Sequence, residues 1–406
     1  MNILFLTLLD FKNLDENNIY TDLLREFAKN GHNMFVISPK ERRFNEETRL
    51  ITADHCKILK LKIGNIQKTG LIEKGISTVL LETQFKRGVK KYFGDIKFDL
   101  VLYSTPPITF AGVIEYIKKR DNAKTYLLLK DIFPQNAVDI GMMTKTGVKS
   151  IIYKVFRRKE KQLYKLSDYI GCMSQANVDY VINNNPEIMP ERVHICPNSI
   201  EVRPKPKNDN KEEIRRKYGI PLDKTVFVYG GNLGKPQDIP FIIECLKANE
   251  KYDDRFFVVC GMGTEYPKLK KYVDESSPKN VLLINGLPKD EYESFVACCD
   301  VGLIFLDHRF TIPNFPSRLL SYMQNGMPVL ACTDRNTDVG QVIVDGGFGW
   351  WCESNSSESF TAVVNQAIES DLTVLGDNAY KYLLGHFSAS ESYDIILKNI
   401  NKDSQL

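Results

Sequence analysis

The stretch PNFPSRLLSYMQNGMPVL, residues 313–330, reads as three kinds of backbone in turn. Pro313 and Pro316 keep its first part out of any hydrogen-bonded ladder, because proline has no N–H. From Arg318 on, Leu319, Leu320, Tyr322 and Met323 fall on one helical face. Gly326 stops the helix, and MPVLAC reads as a buried strand. Loop, helix and strand in that order are the repeating unit of a parallel α/β sheet. A loop feeding a helix start turns free backbone N–H groups towards one spot, which suits an anion. Arg318 stands in the first turn, where a cation opposes the helix dipole; a bound diphosphate offsets that cost. The segment reads equally well as an ordinary loop, helix and strand with a solvated arginine.

The same alternation runs outward in both directions. Before it, NILFLTLL, NMFVISP, DLVLYS (99–104), KTYLLLKD (124–131), DYIGCMS (168–174) and RVHICPNS (192–199) are short apolar runs between helical segments. A second series follows: TVFVYGG, RFFVVCG, NVLLING, VGLIFL and PVLACT. Between the two, EVRPKPKNDNKEEIRRKYGIPLD (201–223) is poor in apolar residues and rich in Pro, Lys and Asn, a linker leading into a helix. The fold class is therefore α/β, with two Rossmann-like units in tandem and a cleft expected between them. Ligands of such sheets bind outside the carboxyl ends of the strands.

At 406 residues, two domains are expected. Hydrophobic content of 43% and charged content of 26% are those of an ordinary soluble protein, and no apolar run suffices to span a bilayer. MNILFLTLL has no basic leader and reads as a first strand rather than a signal peptide. Nine cysteines without a C-x-x-C pair suit a reducing cytoplasm and speak against zinc. From Lys145 to Lys165 there are eight Lys or Arg against one Glu, with Val148, Ile151, Ile152, Val155 and Phe156 at helical spacing. Such a helix suits peripheral attraction to an anionic membrane surface. Its apolar residues are expected to pack on the first domain's core, so insertion is not expected. Lys86, Arg87, Lys90 and Lys91 form a second cluster. No nucleic-acid module accompanies the charge, so nucleic acid is not an expected partner.

Four strand ends in the second half carry special residues. Gly231 and Asn232, with Gly230, Gly234 and Lys235, follow the first strand there. Gly261 and Gly263 follow the next, and Asn285, Gly286 and Leu287 offer a flat base a place against backbone. The fourth is the loop of Asn314, Phe315, Pro316, Ser317 and Arg318, with Ser321 one turn on. Glycine permits close backbone approach and lysine offers a mobile charge for phosphate. Each glycine alone reads more simply as a turn residue; four such turns on one edge point to a nucleotide diphosphate. The dinucleotide G-x-G-x-x-G and the P-loop are absent, which excludes a common dehydrogenase or ATPase design. In the first half, Pro106 lies where a strand hands over to a helix, and Asp131 ends an apolar strand just before Pro134 and Gln135. Asp131 reads as a base or hydroxyl acceptor, or as a helix cap.

Together, EFAKNGHNMFVISP, STPPITFAG, KDIFPQNAVDIGM, ICPNSIEV, YGGNLGKPQD, CGMGTEYPKL, INGLPKDEY and PSRLLSYMQNGMPVLA resemble bacterial glycosyltransferase family 4, of GT-B fold, over nearly the whole chain. The resemblance is to the branch that builds capsule, O-antigen and other exopolysaccharides. It implies an acceptor domain over 1–200, a nucleotide-sugar domain over 201–385 and a final helix, 386–406, packing back on the first domain. It implies retaining transfer of a sugar, an N-acetylated amino sugar among the candidates, from a nucleotide-diphosphate donor, UDP by family habit. The implied acceptor is a polyprenyl-diphosphate-linked sugar or a glycan. The implied place is cytoplasmic, at the inner face of the membrane.

Lys235 and Arg318 then stabilise the leaving diphosphate and Asp131 serves the acceptor, with Pro106 and Gln135 lining its site. No cofactor or metal is expected, since no Asp-x-Asp motif is present. Two positions depart from the family. The Glu-x7-Glu signature is replaced by Pro313 and Ser321, and the usual arginine after the glycine turn is Asn232. A nucleotide-sugar epimerase and a catalytically silent sugar-nucleotide-binding partner are the alternatives.

Overall fold

The computed structural model describes residues 1–66, 69–148, 150–206 and 210–402. Lys149 of the basic stretch, residues 207–209 of the linker and residues 403–406 of the final segment lie outside the described residues. The chain divides into two compact units, one of Met1–Glu201 with the segment from Ala389 onward, the other Val202–Ser388.

The first unit is built on strands β1 (Asn2–Leu6), β2 (Asn33–Glu41), β3 (Arg49–Ala53), β4 (Cys56–Ile63), β5 (Leu100–Ser104), β6 (Lys124–Leu129), β7 (Tyr169–Cys172) and β8 (Val193–Ile195). Their order in the sheet is β3-β4-β2-β1-β5-β6-β7-β8, with only β3 against β4 antiparallel. Helices cover the sheet because nearly every inner-strand side chain is apolar and buried: Ile3, Phe5, Val36, Leu100, Leu102 and Leu128 belong to one core. The helix Ala389–Asn401 adds Tyr393, Ile396 and Ile400 to that core. There the Phe27 ring meets Tyr393 edge-on at 4.8 Å, and the Tyr393 hydroxyl bonds His32 Nε2 at 3.2 Å.

The β3–β4 hairpin is absent from the expected series for a physical reason. CKILKLKI carries three lysines, which hide its strand character; Lys60 is nonetheless buried, paired with Asp10 and bonded to the Phe11 carbonyl and the Ser38 hydroxyl. KTYLLLKD also forms less strand than expected. β6 ends at Leu129, so Asp131 stands two residues beyond it, in the loop.

The second unit carries β9 (Thr225–Asn232), β10 (Arg255–Met262), β11 (Val281–Ile284), β12 (Val301–Phe305), β13 (Val329–Thr333) and β14 (Gly349–Glu353), all parallel, in the order β11-β10-β9-β12-β13-β14. The order reverses between β9 and β12, as it does between β1 and β5 in the first unit. At such a reversal the following connections leave in opposite directions and open a crevice at the carboxyl edge. The opening segment folds as read: the helix is Arg318–Gln324, Gly326 has φ +59°, and β13 follows.

The basic helix is Ser150–Leu166, but its apolar residues do not face the core. Val148, Ile151, Ile152 and Val155 are 85, 60, 56 and 52% exposed. Only Leu163 and Tyr164 are buried apolar residues in it, while Phe156 leans on Phe133 at 5.1 Å. The expectation of core packing is corrected: a glycine-containing entry and a short contact at the far end leave the first two turns uncovered.

Candidate active site

In the second unit Gly230 and Gly231 lie within the end of β9 and Gly261 within the end of β10, in register with Gly231, so they are strand residues rather than the turn residues expected. Gly231 has φ +128°, and a side chain there would start 3.4–3.5 Å from the Arg318 guanidinium. A Cβ on Gly261 would collide with the Gly231 carbonyl, and one on Gly263 with the backbone of Leu233. Gly286 has φ +72°, and a Cβ there would start 3.1–3.3 Å from the Met262 side chain. The bare Cα atoms of Gly261 and Gly263 are thus taken up by the neighbouring backbone, which they allow to cross the sheet edge. Asn285 is exposed beside them, with Leu287 half-buried.

Arg318 reaches this edge from the start of its helix. Its Cζ stands 4.2 Å from the centroid of the Tyr229 ring. Among the described residues it has no carboxylate partner, and its Nη1 is buried without a hydrogen-bond acceptor. A buried donor left unpaired costs about 1–3 kcal/mol. A phosphate oxygen would remove that cost. The helix itself contributes less than its sequence implies. It has seven residues, and the Leu319 and Leu320 amides already go to the Pro316 and Ser317 carbonyls.

The other residues of this loop divide between roles. Phe315 is a packing residue, 5% exposed, with its ring 5.8 Å from Phe387. Asn314 gives its carbonyl to the Thr337 hydroxyl, while its Nδ2 is buried without an acceptor among the described residues. Ser317 is exposed and Ser321 half-buried. Asn232 uses its side chain on Gln237 at 3.3 Å and its carbonyl on the Tyr229 hydroxyl at 2.7 Å. Lys235 opens the short turn Lys235–Gln237, exposed and without an ion pair among the described residues.

Asp238, Asp307 and His308 each place a ligand atom within 4.8 Å of the others. Arg309 occupies Asp307 through both carboxylate oxygens, with Nε at 2.9 and 3.1 Å. The pocket chemistry of that cluster is therefore an ion pair as it stands.

In the first unit the Thr105 hydroxyl gathers the loops after β5 and β6. It donates to the Asp131 carbonyl at 3.0 Å and accepts from the Lys130 and Asp131 amides at 3.1 and 3.2 Å. That brings Pro106, which is exposed, to the loop of Asp131. The Asp131 carboxylate accepts from Asn136 Nδ2 at 2.7 Å and has no cation partner among the described residues. Burial raises its pKa to about 6, against the opposing Asn136 hydrogen bond. It is no helix cap: the helix Gln135–Asp139 has Pro134 at its cap position and no side-chain cap bond. Gln135 is buried and spends its amide on Asp139 at 2.6 Å.

Tyr20 was not among the expected residues, yet it is half-buried near Ser104 and Asp131, and burial raises its pKa. Tyr229, Tyr292 and Tyr322 around Arg318 were missed as well. Aromatics inside strands and helices read as core, and only the fold shows which of them touch a cation.

Residues 210–382 match the family described as glycosyl transferases group 1. The chain is 26% identical over 320 residues, 78% of its length and 77% of the relative's, to a protein of Pseudomonas aeruginosa named as a probable glycosyltransferase, WbjE. It is 21% identical over 279 residues, 67% of each chain, to one of Escherichia coli (strain K12) named for colanic acid biosynthesis glycosyl transfer, WcaI. In three dimensions it resembles HepE of Anabaena, solved in complex with UDP, with a TM-score of 0.69 over 100% of both chains at 15% identity. The C-terminal half of the chain thus matches glycosyl transferases group 1, and its two parallel-sheet units have the architecture of the GT-B structures it resembles.

Proposed function

We propose that this protein is a glycosyltransferase that moves a sugar, an N-acetylated amino sugar among the candidates, with retention, from a UDP-linked donor to a polyprenyl-diphosphate-linked or glycan acceptor in bacterial surface polysaccharide synthesis. The observation that carries the reading is the Arg318 guanidinium, half-buried beside Gly231 with no carboxylate to neutralise it among the described residues. Breaking the bond between sugar and diphosphate places negative charge on the leaving oxygen. A fixed cation in a poorly solvated place stabilises that charge without reorganising. Lys235, exposed and mobile, adds a second cation to the same sheet edge. These residues supply the charge by themselves, so the reaction is expected to proceed without a metal.

Asp131 belongs to the acceptor side of the reading. A carboxyl with a pKa near 6 is unprotonated at neutral pH and still basic enough to hold a hydroxyl proton. The leaving phosphate is the other proton acceptor available to a retaining transfer. The names of the relatives support polysaccharide synthesis, and the UDP in HepE supports the nucleotide.

No helix among the described residues is long and apolar enough to cross a membrane. The helix Ser150–Leu166, basic with an exposed apolar edge, supports peripheral attachment to the inner face of the cytoplasmic membrane. The test is incubation with a panel of UDP-sugars and a lipid-linked acceptor. Release of UDP that requires the acceptor is the expected result. Donor isomerised without acceptor would indicate an epimerase, and binding without turnover a silent partner; either overturns the proposal.

A further inference from the structure

Among the described residues Arg318 meets aromatic groups and no carboxylate, and their arrangement carries a role for one of them. Tyr229, the last residue of β9 before the two glycines, is fully buried, and its ring lies under the guanidinium at 4.2 Å. Its hydroxyl donates to the Asn232 carbonyl at 2.7 Å, across the strand end that contains Gly231. Tyr322, also fully buried, accepts from the Gly230 amide at 3.2 Å and donates towards the Val228 and Leu303 carbonyls at 3.2 and 3.1 Å. The Tyr292 hydroxyl lies over Gly230, where any side chain would collide with it. Three tyrosines therefore fix the strand end and the cation beside it, and none brings a charge. Burial raises the pKa of all three, so they stay neutral wherever the protein is folded.

An arginine is normally fixed in such a place by an aspartate or glutamate. That would orient the guanidinium but also neutralise it, and a phosphate would then compete with the protein's own anion. An aromatic face orients the cation while leaving its charge available. The Arg318 Nη1 without an acceptor is what such an arrangement leaves over. Beside Gly231 the strand itself carries Asn232, so the guanidinium there arrives from another element, and its placement depends on what lies beneath it.

We infer that Tyr229 is a positioning residue for nucleotide-diphosphate binding, acting through Arg318: its ring holds the guanidinium beside Gly231 without neutralising it, and its hydroxyl sets the end of the strand. The inference rests on the proposed phosphate site and adds the residue that makes Arg318 effective there.

The experiment is a double-mutant cycle read by calorimetric titration with UDP, with melting temperature recorded for each protein. Tyr229→Leu is expected to weaken UDP about tenfold in the parent and less than twofold in an Arg318→Ala background. Tyr229→Phe, which keeps the ring and loses the bond to Asn232, is expected to lose at most about threefold. A merely structural tyrosine would weaken UDP by the same factor in both backgrounds, and that result overturns the inference while leaving the phosphate site standing. If Arg318→Ala itself leaves UDP affinity unchanged, the phosphate site and the inference fall together. Should Tyr229→Leu not fold, Tyr229→Phe and Tyr229→Met replace it in the cycle, and equal losses in both backgrounds again overturn the role.

Discussion

The carboxyl edges of the two sheets hold opposite charges in the same manner. In the second unit Arg318 is half-buried with no anion; in the first, Asp131 is half-buried with no cation among the described residues. Other sequestered charges are paired, although Lys130 gives its ammonium to the Cys196 and Pro197 carbonyls rather than to an anion. Arg215 meets Asp300 at 2.6 Å, Arg157 meets Glu160 at 2.6 Å, and Arg309 closes on Asp307. Leaving a charge unpaired in a poorly solvated place is costly, which makes Arg318 and Asp131, each at a sheet's carboxyl edge, candidate functional groups. Their signs fit a transfer that needs a cation for the leaving group and a base for the incoming hydroxyl. They differ in how each charge is held. Arg318 is oriented by an aromatic face and, being a guanidinium, stays charged at any accessible pH. Asp131 sits on a pKa near 6, because burial works against its charged form. The proposed donor site should therefore be indifferent to pH over a range where the proposed acceptor site is not.

That contrast is broken most sharply at Asp131. Asp131→Asn is expected to cut turnover about 100-fold or more, the usual scale of a lost proton acceptor, with UDP affinity within about twofold of the parent. In the parent, turnover at saturating donor should fall as pH drops through about 6, and the variant should lack that limb. Stability runs the other way. The folded-state pKa is raised from 3.8, so the carboxyl's contribution to stability is lost as pH rises from 3.8 through about 6. Asp131→Asn should then melt higher than the parent at pH 7 and no higher at pH 3.5. A variant that loses UDP binding but keeps turnover at saturating donor would refute the division of labour.

The next effect lies on the donor side. Arg318→Ala is expected to weaken UDP about 10- to 100-fold, the worth of a charge-assisted contact of about 1.5–3 kcal/mol. Lys235→Ala should cost only about two- to fivefold, since exposed ion pairs are worth about 0.2–1 kcal/mol. Neither loss should change between pH 6 and 8. Equal losses for the two residues would show that burial adds nothing to the arginine.

The smallest expected effect concerns the membrane. At low salt the protein should sediment with anionic vesicles, each nearby Lys or Arg contributing about 1 kcal/mol. Part of that binding should survive high salt, because Ile151 and Ile152 are exposed rather than tucked into the core. Replacing both by aspartate should remove the salt-resistant part without altering UDP affinity. Equal sedimentation with neutral and anionic vesicles would leave the helix as a solvated face.

The sequence by itself determined the alternation of strands and helices and the shift of composition near residue 201, because buried parallel strands must be apolar throughout and connecting segments must not. It also marked Arg318, Gly231 and Asp131, since charge and glycine at strand ends are visible as letters. Only the tertiary structure decided how those residues are held. Nothing in TVFVYGG says that Tyr229 lies under a guanidinium about ninety residues on, because that contact depends on β9 and the Arg318 helix meeting at the edge of the sheet. Lysine-rich β4 was illegible for the same reason: Lys60 is tolerable in a buried strand only because Asp10 and Ser38 arrive beside it from other elements. The basic helix shows the limit from the other side. Its periodicity named an apolar face, but whether that face meets core or solvent depends on what packs against it, and the chain places nothing there.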